Sequence, residues 1–520
     1  MKFIAAIGIA LLASAAHAQS AITLPEMLAV ELPRGANTIG PDDSALHVLL
    51  AAARSADRTV IWDLKRKLGP GAAKVTWTAW DGMPGTGTPA ATRSAYIMVL
   101  PNGMTPVGVT GDENATTGNS AVHIARDAAG RLHMVWEDGG RPGGPTGPFY
   151  RRATTVNGVL HFETGPVNIA DPGPSDWNGY PALAVSGNTV QLVWQSGGIA
   201  RTRRITGGTV LEPVVDTGAR SEGSDIGPAI AFDSKGGLHI VTPDGIYTFS
   251  ADGGRTWKSE PVPLPAGATV KTISLAVDGR GTVHIAFSAP LTKNNPVTGE
   301  AGGYWQLRTI DRGPDGAWHN PTDVLAHAPG WGKPKAADDM LADWARIAAD
   351  AKGGLHLTWH GTVYSHKFEH DTSFYAWKKP GGDWQAPVAL QRSDSAHGIG
   401  FSYAPTIALD GDRMLAITFY EQDLRNGSSA FDSALAIFAN GRMQGQLVPV
   451  TRFVAAAAAA RTPDAAIGSR FPAAAPQVWH TSDGRAGLDL LETLQMPASD
   501  GPKIVVHQWL DLTARLGNHG

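Results

Sequence analysis

Cysteine is missing from the whole 520-residue chain. No disulfide can staple the fold, so its cohesion must come from a buried core, for which about 500 residues are ample. A surplus of charge is lacking too. The 43 basic residues nearly balance the 47 acidic ones, the formal net charge is −4, and no basic run or basic-aromatic stripe occurs. That argues against phosphate neutralisation and hence against a nucleic-acid partner. Long hydrophobic runs are confined to the start. Met1 to Phe3 give a short positive stretch, Ile4 to Ala15 an apolar one, and Ala16-His17-Ala18 a small-residue cleavage site, so residues 1–18 read as an export signal. No later run of about 18 uncharged apolar residues could span a bilayer. From about Gln19 onward the chain is expected to be soluble, periplasmic or extracellular, and without membrane association.

The composition that remains is that of an all-β protein. There are 62 Gly, 36 Pro and 16 Trp, turn formers and large aromatics that suit many short strands packed sheet on sheet. A repeated unit, apolar strand, Asp-x-x-Gly turn, apolar strand, supports this. Clear copies run from Ala121 to Trp136, Ala229 to Val241, Ser274 to Phe287 and Ala345 to Trp359, with weaker ones from Ala182 to Trp194 and Thr406 to Phe419. The spacing is that of a propeller blade, and two further strand-like stretches after each copy complete a four-stranded unit. Strand-like segments also lie outside the repeats. Near the front, Tyr96 to Leu100 and Pro106 to Thr110 flank Asn102-Gly103, which reads as a hairpin turn; at the back, Gln477 to His480, Leu488 to Leu494 and Lys503 to Trp509 look extended. Pairing the two ends in one composite blade would remove exposed edges. The expectation is a single β-propeller domain over 19–520 with seven blades, six being the alternative. Val454 to Arg461, with its run of alanines, reads as a helix or surface linker, and Pro41 to Leu68 fits helix or strand.

One turn is distinctive. Ser250-Ala251-Asp252-Gly253-Gly254-Arg255-Thr256-Trp257 matches Ser-x-Asp-x-Gly-x-Thr-Trp at every fixed position, and degenerate relatives occur at Pro314 to Trp318 and Gly381 to Trp384. In such a turn the carboxylate accepts backbone N–H groups, glycine adopts a conformation closed to other residues, and Trp covers the space between strands. On this motif and the repeat, the chain between about Gly118 and Val450 resembles the sialidase-like propellers with Asp-box (BNR) repeats. The resemblance implies a seven- or six-bladed ring and a glycan substrate. Sialidases use a Tyr–Glu pair, an acidic Asp and three arginines that bind the sialic-acid carboxylate. Their Arg-Ile-Pro motif is missing; Arg346-Ile347-Ala348 is the nearest string and lies in the wrong part of the chain, so no sialidase residue is transferred. The repeat is also similar to propellers of polysaccharide lyases and rhamnose-releasing enzymes, where a His or Tyr base and an Arg act on a uronate-containing chain.

Topology alone nominates a site. In each hairpin the start of the first strand and the end of the second lie together, and a ring gathers these ends on one face. The candidates there for catalysis are His360, Arg346, Tyr403, Glu137, Asp225 and Glu421, and for substrate binding Asn119, Trp177, Asn178, Tyr180, Trp344, His366 and His370; Asp138, Gln195, Ser224, Asp244, Asp343 and Tyr420 share the face. Carboxylates, His, Arg and Tyr supply acid–base chemistry, and aromatic faces stack on sugars. The loop from His360 to His370 carries three histidines, but His366 and His370 at i, i+4 suit a metal only on a helix, so no metal and no cofactor is expected. His133, His239, His284 and His356 occupy one slot in four repeats, which reads as structural. Two classes of function remain: a carbohydrate-active enzyme, either a sialidase-like exo-glycosidase or a polysaccharide lyase, and a non-catalytic propeller that binds a glycan or a protein.

Overall fold

The computed structural model describes residues 27–32, 35–36, 38, 58–62, 67–81, 88–112, 115–116, 122–139, 147–156, 159–170, 178–207, 210–222, 226–265, 270–290, 305–324, 340–363, 371–391, 399–424, 428–450, 469–494 and 503–516. Residues 1–18, expected to be an export signal, together with Asn119, Trp177, Ser224, Asp225, the histidine-rich loop beyond Val363 and the alanine run, lie outside the described residues.

Seven antiparallel sheets form the blades of a β-propeller. The innermost strands are Ile124–Arg126, Asn178–Ser186, Ala229–Phe232, Thr272–Val277, Met340–Ala349, Ile399–Asp410 and Ser469–Ala474. Each pairs with the second strand of its blade, and in blades 1 to 6 that pair is the repeated hairpin. Blade 7 joins the two ends of the chain. Its order is Ser469–Ala474, Ala486–Leu494, Lys503–Asp511 and, outermost, Met104–Thr110, with Lys503 opposite Thr110 and Ile504 opposite Val109. The edge that would otherwise be left open is thereby paired.

The expected hairpin around Asn102-Gly103 does not form. Thr88–Leu100 and Met104–Thr110 belong to different sheets, and the turn carries the chain from one to the other. Upstream strands make an eighth sheet outside the ring, in which Met27–Glu31 runs parallel to Thr88–Leu100, which pairs with Gly71–Asp81 and that with Arg58–Trp62. The stretch from Pro41 to Leu68 thus includes a strand. Met98 and Leu100 of this sheet pack with Met104, Leu494, Ile504 and Val506 of blade 7, so apolar burial joins sheet to ring. Among the described residues no helix is long and apolar enough to cross a membrane.

The repeated Asp and His face each other in the same arrangement four times, and in two copies they are hydrogen-bonded. Asp350 Oδ1 accepts the N–H groups of Lys352 and Gly354 at 2.8 Å each, and Asp350 Oδ2 lies 3.3 Å from His356 Nε2, whose Nδ1 is 2.9 Å from the Tyr375 hydroxyl. Asp127, His133 and Tyr150 repeat this, as do Asp233, His239 and Tyr247. In the fourth copy Asp278 and His284 are joined by Asp311 in place of the tyrosine. A carboxylate can only accept, so in the Asp233 and Asp350 copies Nε2–H donates to Asp and Nδ1 accepts from the Tyr hydroxyl. Burial holds His133 near pKa 4 and lowers His239 and His356, keeping the rings neutral as this wiring requires. The slot is structural, as its repetition implied. Above it, Trp136, Trp194 and Trp359 fill equivalent positions of blades 1, 2 and 5 and are fully buried.

Candidate functional site

The hairpin turns bearing Asp127, Asp233, Asp278 and Asp350 define one face of the ring. At the other end the innermost strands of blades 2, 5 and 6 are irregular, with register shifts between Gly179 and Ala182, Asp343 and Arg346, and Tyr403 and Thr406. Within these bulges Tyr180, Trp344 and Ala404 take left-handed backbone conformations, with φ of 51°, 54° and 48°. For residues with a Cβ this is unfavourable, and such strain persists only where the surroundings impose it. Around Tyr180 they do. Its N–H donates to Glu137 Oε2 at 2.8 Å, and Gly227 of blade 3 packs so close that a Cβ there would lie 2.4 Å from the Tyr180 Cβ.

Glu137 is the last residue but one of the second strand of blade 1, Leu132–Asp138, and is 5% exposed. Its pKa is pushed up to about 8, first by burial and then by the charges of Asp112 and Asp138, against the Tyr180 N–H, which lowers it. A methyl group added at Gly139 would lie 3.4 Å from Glu137 Oε1 and 3.6 Å from Asp112 Oδ2, so both carboxyls face the same glycine. The segment that leads from blade 7 into blade 1 holds this cluster. Glu137 N–H donates to Ala115 O at 2.9 Å, Gly111 N–H to Asp138 Oδ1 at 3.0 Å, and Lys503 Nζ to Gly111 O at 3.1 Å.

A second group belongs to blade 5. The Trp344 ring meets His360 edge-on, with centroids 5.6 Å apart, and His360 is 7% exposed. Two residues on, Arg346 reaches the propeller axis. There a cavity of about 370 Å³ is lined by all seven innermost strands, through Ala125, Leu183, Ile230, Leu275, Ile407 and Ala474 besides Arg346. Arg346 Nη1 donates to Thr406 Oγ1 at 3.0 Å, and enclosure lowers its pKa to about 10, which leaves it cationic at neutral pH. Its charge reaches His123 in blade 1. Burial first, and then Arg346, hold His123 near pKa 3, while its Nδ1 lies 3.0 Å from Val135 O.

The predicted residues therefore fall into two clusters, Glu137 with Tyr180 across blades 1 and 2, and Trp344, His360 and Arg346 in blade 5. Gln195 accepts from Ser221 Oγ at 3.3 Å, and Asp244 accepts the Glu222 N–H at 2.6 Å. Asn178, Tyr403, Tyr420 and Glu421 lie in strands at the same end, where Asn178 pairs with Ser196, Tyr403 with Phe419, Tyr420 with Ser402 and Glu421 with Phe431. Asn119, Trp177, Asp225, His366 and His370 lie outside the described residues. Asp112, His123 and Lys503 were not anticipated. Asp112 and Lys503 join the site only because the chain ends close the ring, and His123 sits inside a repeat whose pattern marks it as one more strand residue. Among the described residues, no group of three or more His, Asp or Glu is placed to hold a metal ion.

The fold is a seven-bladed β-propeller, with a carboxyl cluster in blades 1 and 2 and an aromatic–cationic group in blade 5 at the strand ends opposite the Asp-bearing turns. No family model and no curated protein sequence matches the chain. Solved structures similar to it include an exo-1,5-α-L-arabinanase from a bovine ruminal metagenomic library, with 14% identity and a TM-score of 0.30 over 54% of this chain and 91% of that one. The NanB sialidase of Streptococcus pneumoniae matches at 9% identity and a TM-score of 0.39 over 86% and 84%. YCF48 from Cyanidioschyzon merolae matches at 11% and 0.38 over 78% and 98%.

Proposed function

We propose that the chain is an exported carbohydrate-active enzyme of the glycoside-hydrolase kind, working at the mouth of the axial cavity in the periplasm or outside the cell. The observation that carries this reading is Glu137. Glycoside hydrolysis calls for one carboxyl that keeps its proton near neutral pH and a second that is ionised. With its pKa pushed up to about 8, Glu137 suits the first role, and its neighbours Asp112 and Asp138 are the candidates for the second. Tyr180 and Trp344 offer aromatic faces to a sugar ring, His360 a further proton carrier, and Arg346 a cation for acidic substituents.

The test is turnover of a panel of neutral glycosides and acidic polysaccharides by the purified full chain. New reducing ends without ultraviolet absorbance support hydrolysis. Absorbance from unsaturated uronates would replace it with a lyase working through His360 and Arg346, and binding without product would make the propeller a glycan-binding module.

A further inference from the structure

On the wall between blades 5 and 6, an open groove of about 610 Å³ is lined by Trp377, Lys379, Gln385, Asn440, Arg442 and Gln444. Lys378 lies opposite Leu355, and Ala439 opposite Arg413, both next to hairpin turns. The groove is therefore at the face away from the mouth. Trp377 is half-buried, resting on the cluster that holds Tyr375 and Phe438, with the Lys379 ammonium 5.9 Å from its ring centroid. The edge of the indole is covered by the turn at Asn440 and Gly441. A Cβ at Gly441 would lie 1.8 Å from Trp377 Nε1, so only glycine, here at φ 72°, lets this turn lie against the ring.

Three features of the groove point to one ligand class. The indole supplies a flat apolar surface. Gln385, Asn440 and Gln444, all exposed, supply amide donors and acceptors suited to hydroxyls. Lys379 and Arg442 supply positive charge, no carboxylate lines the groove, and neither cation is ion-paired among the described residues. We propose that this groove is a second glycan-binding site, distinct from the mouth, that takes an anionic oligosaccharide of the uronate type, with a pyranose C–H face on Trp377 and carboxylates on Lys379 and Arg442. It anchors a long acidic chain to the back of the ring and does not depend on turnover at the front.

Affinity electrophoresis of the full chain in gels containing polygalacturonate tests this, with fully methyl-esterified polygalacturonate as the uncharged comparison and poly-glutamate as the acidic peptide. The parent is expected to be retarded by polygalacturonate alone. Trp377→Ala and Arg442→Ala should each weaken retardation by about tenfold; Arg442 is exposed, so its variant should do so at unchanged melting temperature, which keeps the test independent of folding. No retardation of the parent, equal retardation of the Trp377 and Arg442 variants, or equal binding of the methyl ester or of poly-glutamate would each overturn the proposal.

Discussion

A carboxyl that is 5% exposed and flanked by two aspartates holds its proton into the neutral range, and this decides what Glu137 can do. Gln at this position keeps an acceptor for the Tyr180 N–H but has no proton to transfer. Glu137→Gln is expected to lower turnover by about 10²–10⁴-fold, and parental activity should fall as pH rises through about 8. A Gln variant that turns over at the parental rate would remove Glu137 from the chemistry. Stability should respond to the same group. Its pKa rises from 4.5 to about 8 on folding, so its contribution is complete below pH 4.5 and is lost as pH climbs to about 8. The histidines act in the opposite sense. His123 and His133 fall from 6.5 to about 3 and about 4, with His239 and His356 also lowered. Their neutral forms are the folded ones, so stability is lost as pH drops below 6.5. Melting temperature should therefore rise to about pH 6.5 and then decline towards 8, and the decline should be shallower in Glu137→Gln; parallel curves above pH 6.5 would refute the assignment. In the sequence Glu137 was one strand-end polar residue among many. Its distinction comes from Asp112 and from the bulge at Tyr180, and neither contact leaves a mark in the local pattern.

At the scale of the element, the hairpins were legible because each carries its own instructions. Alternating apolar residues, an Asp and a turn glycine suffice to close two strands without help from distant chain. The cost of losing an Asp should follow burial. Asp350 is 8% exposed and accepts two turn N–H groups, so Asp350→Ala strands both donors and should cost about 1–3 kcal/mol in urea unfolding. Asp252 accepts from Arg255 and Thr256 and from the Ser250 and Thr256 hydroxyls, yet it stands in solvent, where water replaces the missing acceptor. Asp252→Ala should lower the melting temperature by less than Asp350→Ala does. The reverse order would mean that the Ser250–Trp257 turn carries more of the blade than its exposure indicates. Where the local reading failed, at Asn102-Gly103, the turn chemistry was right for a chain reversal. The partners were not local: Thr88–Leu100 found Met27–Glu31 and Gly71–Asp81, and Met104–Thr110 found the distant strand Lys503–Asp511 near the other end of the chain.

Closure of the ring is the property of the whole molecule, and it was only half legible. That the two ends should share a blade follows from the need to remove edges; that the N-terminal contribution is a single outermost strand, with a separate sheet ahead of it, depends on packing between blades 7 and 1. Gly108 shows why that strand fits. It lies opposite Val505 in blade 7, and a Cβ on it would come within 2.5 Å of Trp136 Cζ2 and 2.9 Å of Cε2. Trp136 is 1% exposed in the core that blades 1, 6 and 7 share, so the indole has no free direction in which to retreat. Gly108→Ala should therefore destabilise the ring by about 1–3 kcal/mol through overpacking, although alanine is the better residue for an ordered strand. Trp136→Phe removes the atoms that collide but leaves a void, and alone it too should destabilise. Combined, the larger residue at 108 fills space vacated by the smaller one at 136, so the double variant should be more stable than the sum of the single effects by about 0.5–3 kcal/mol. Urea unfolding of the four proteins measures this coupling. Strict additivity would show that Gly108 and Trp136 do not meet, and that the closing strand sits on blade 1 in some other way.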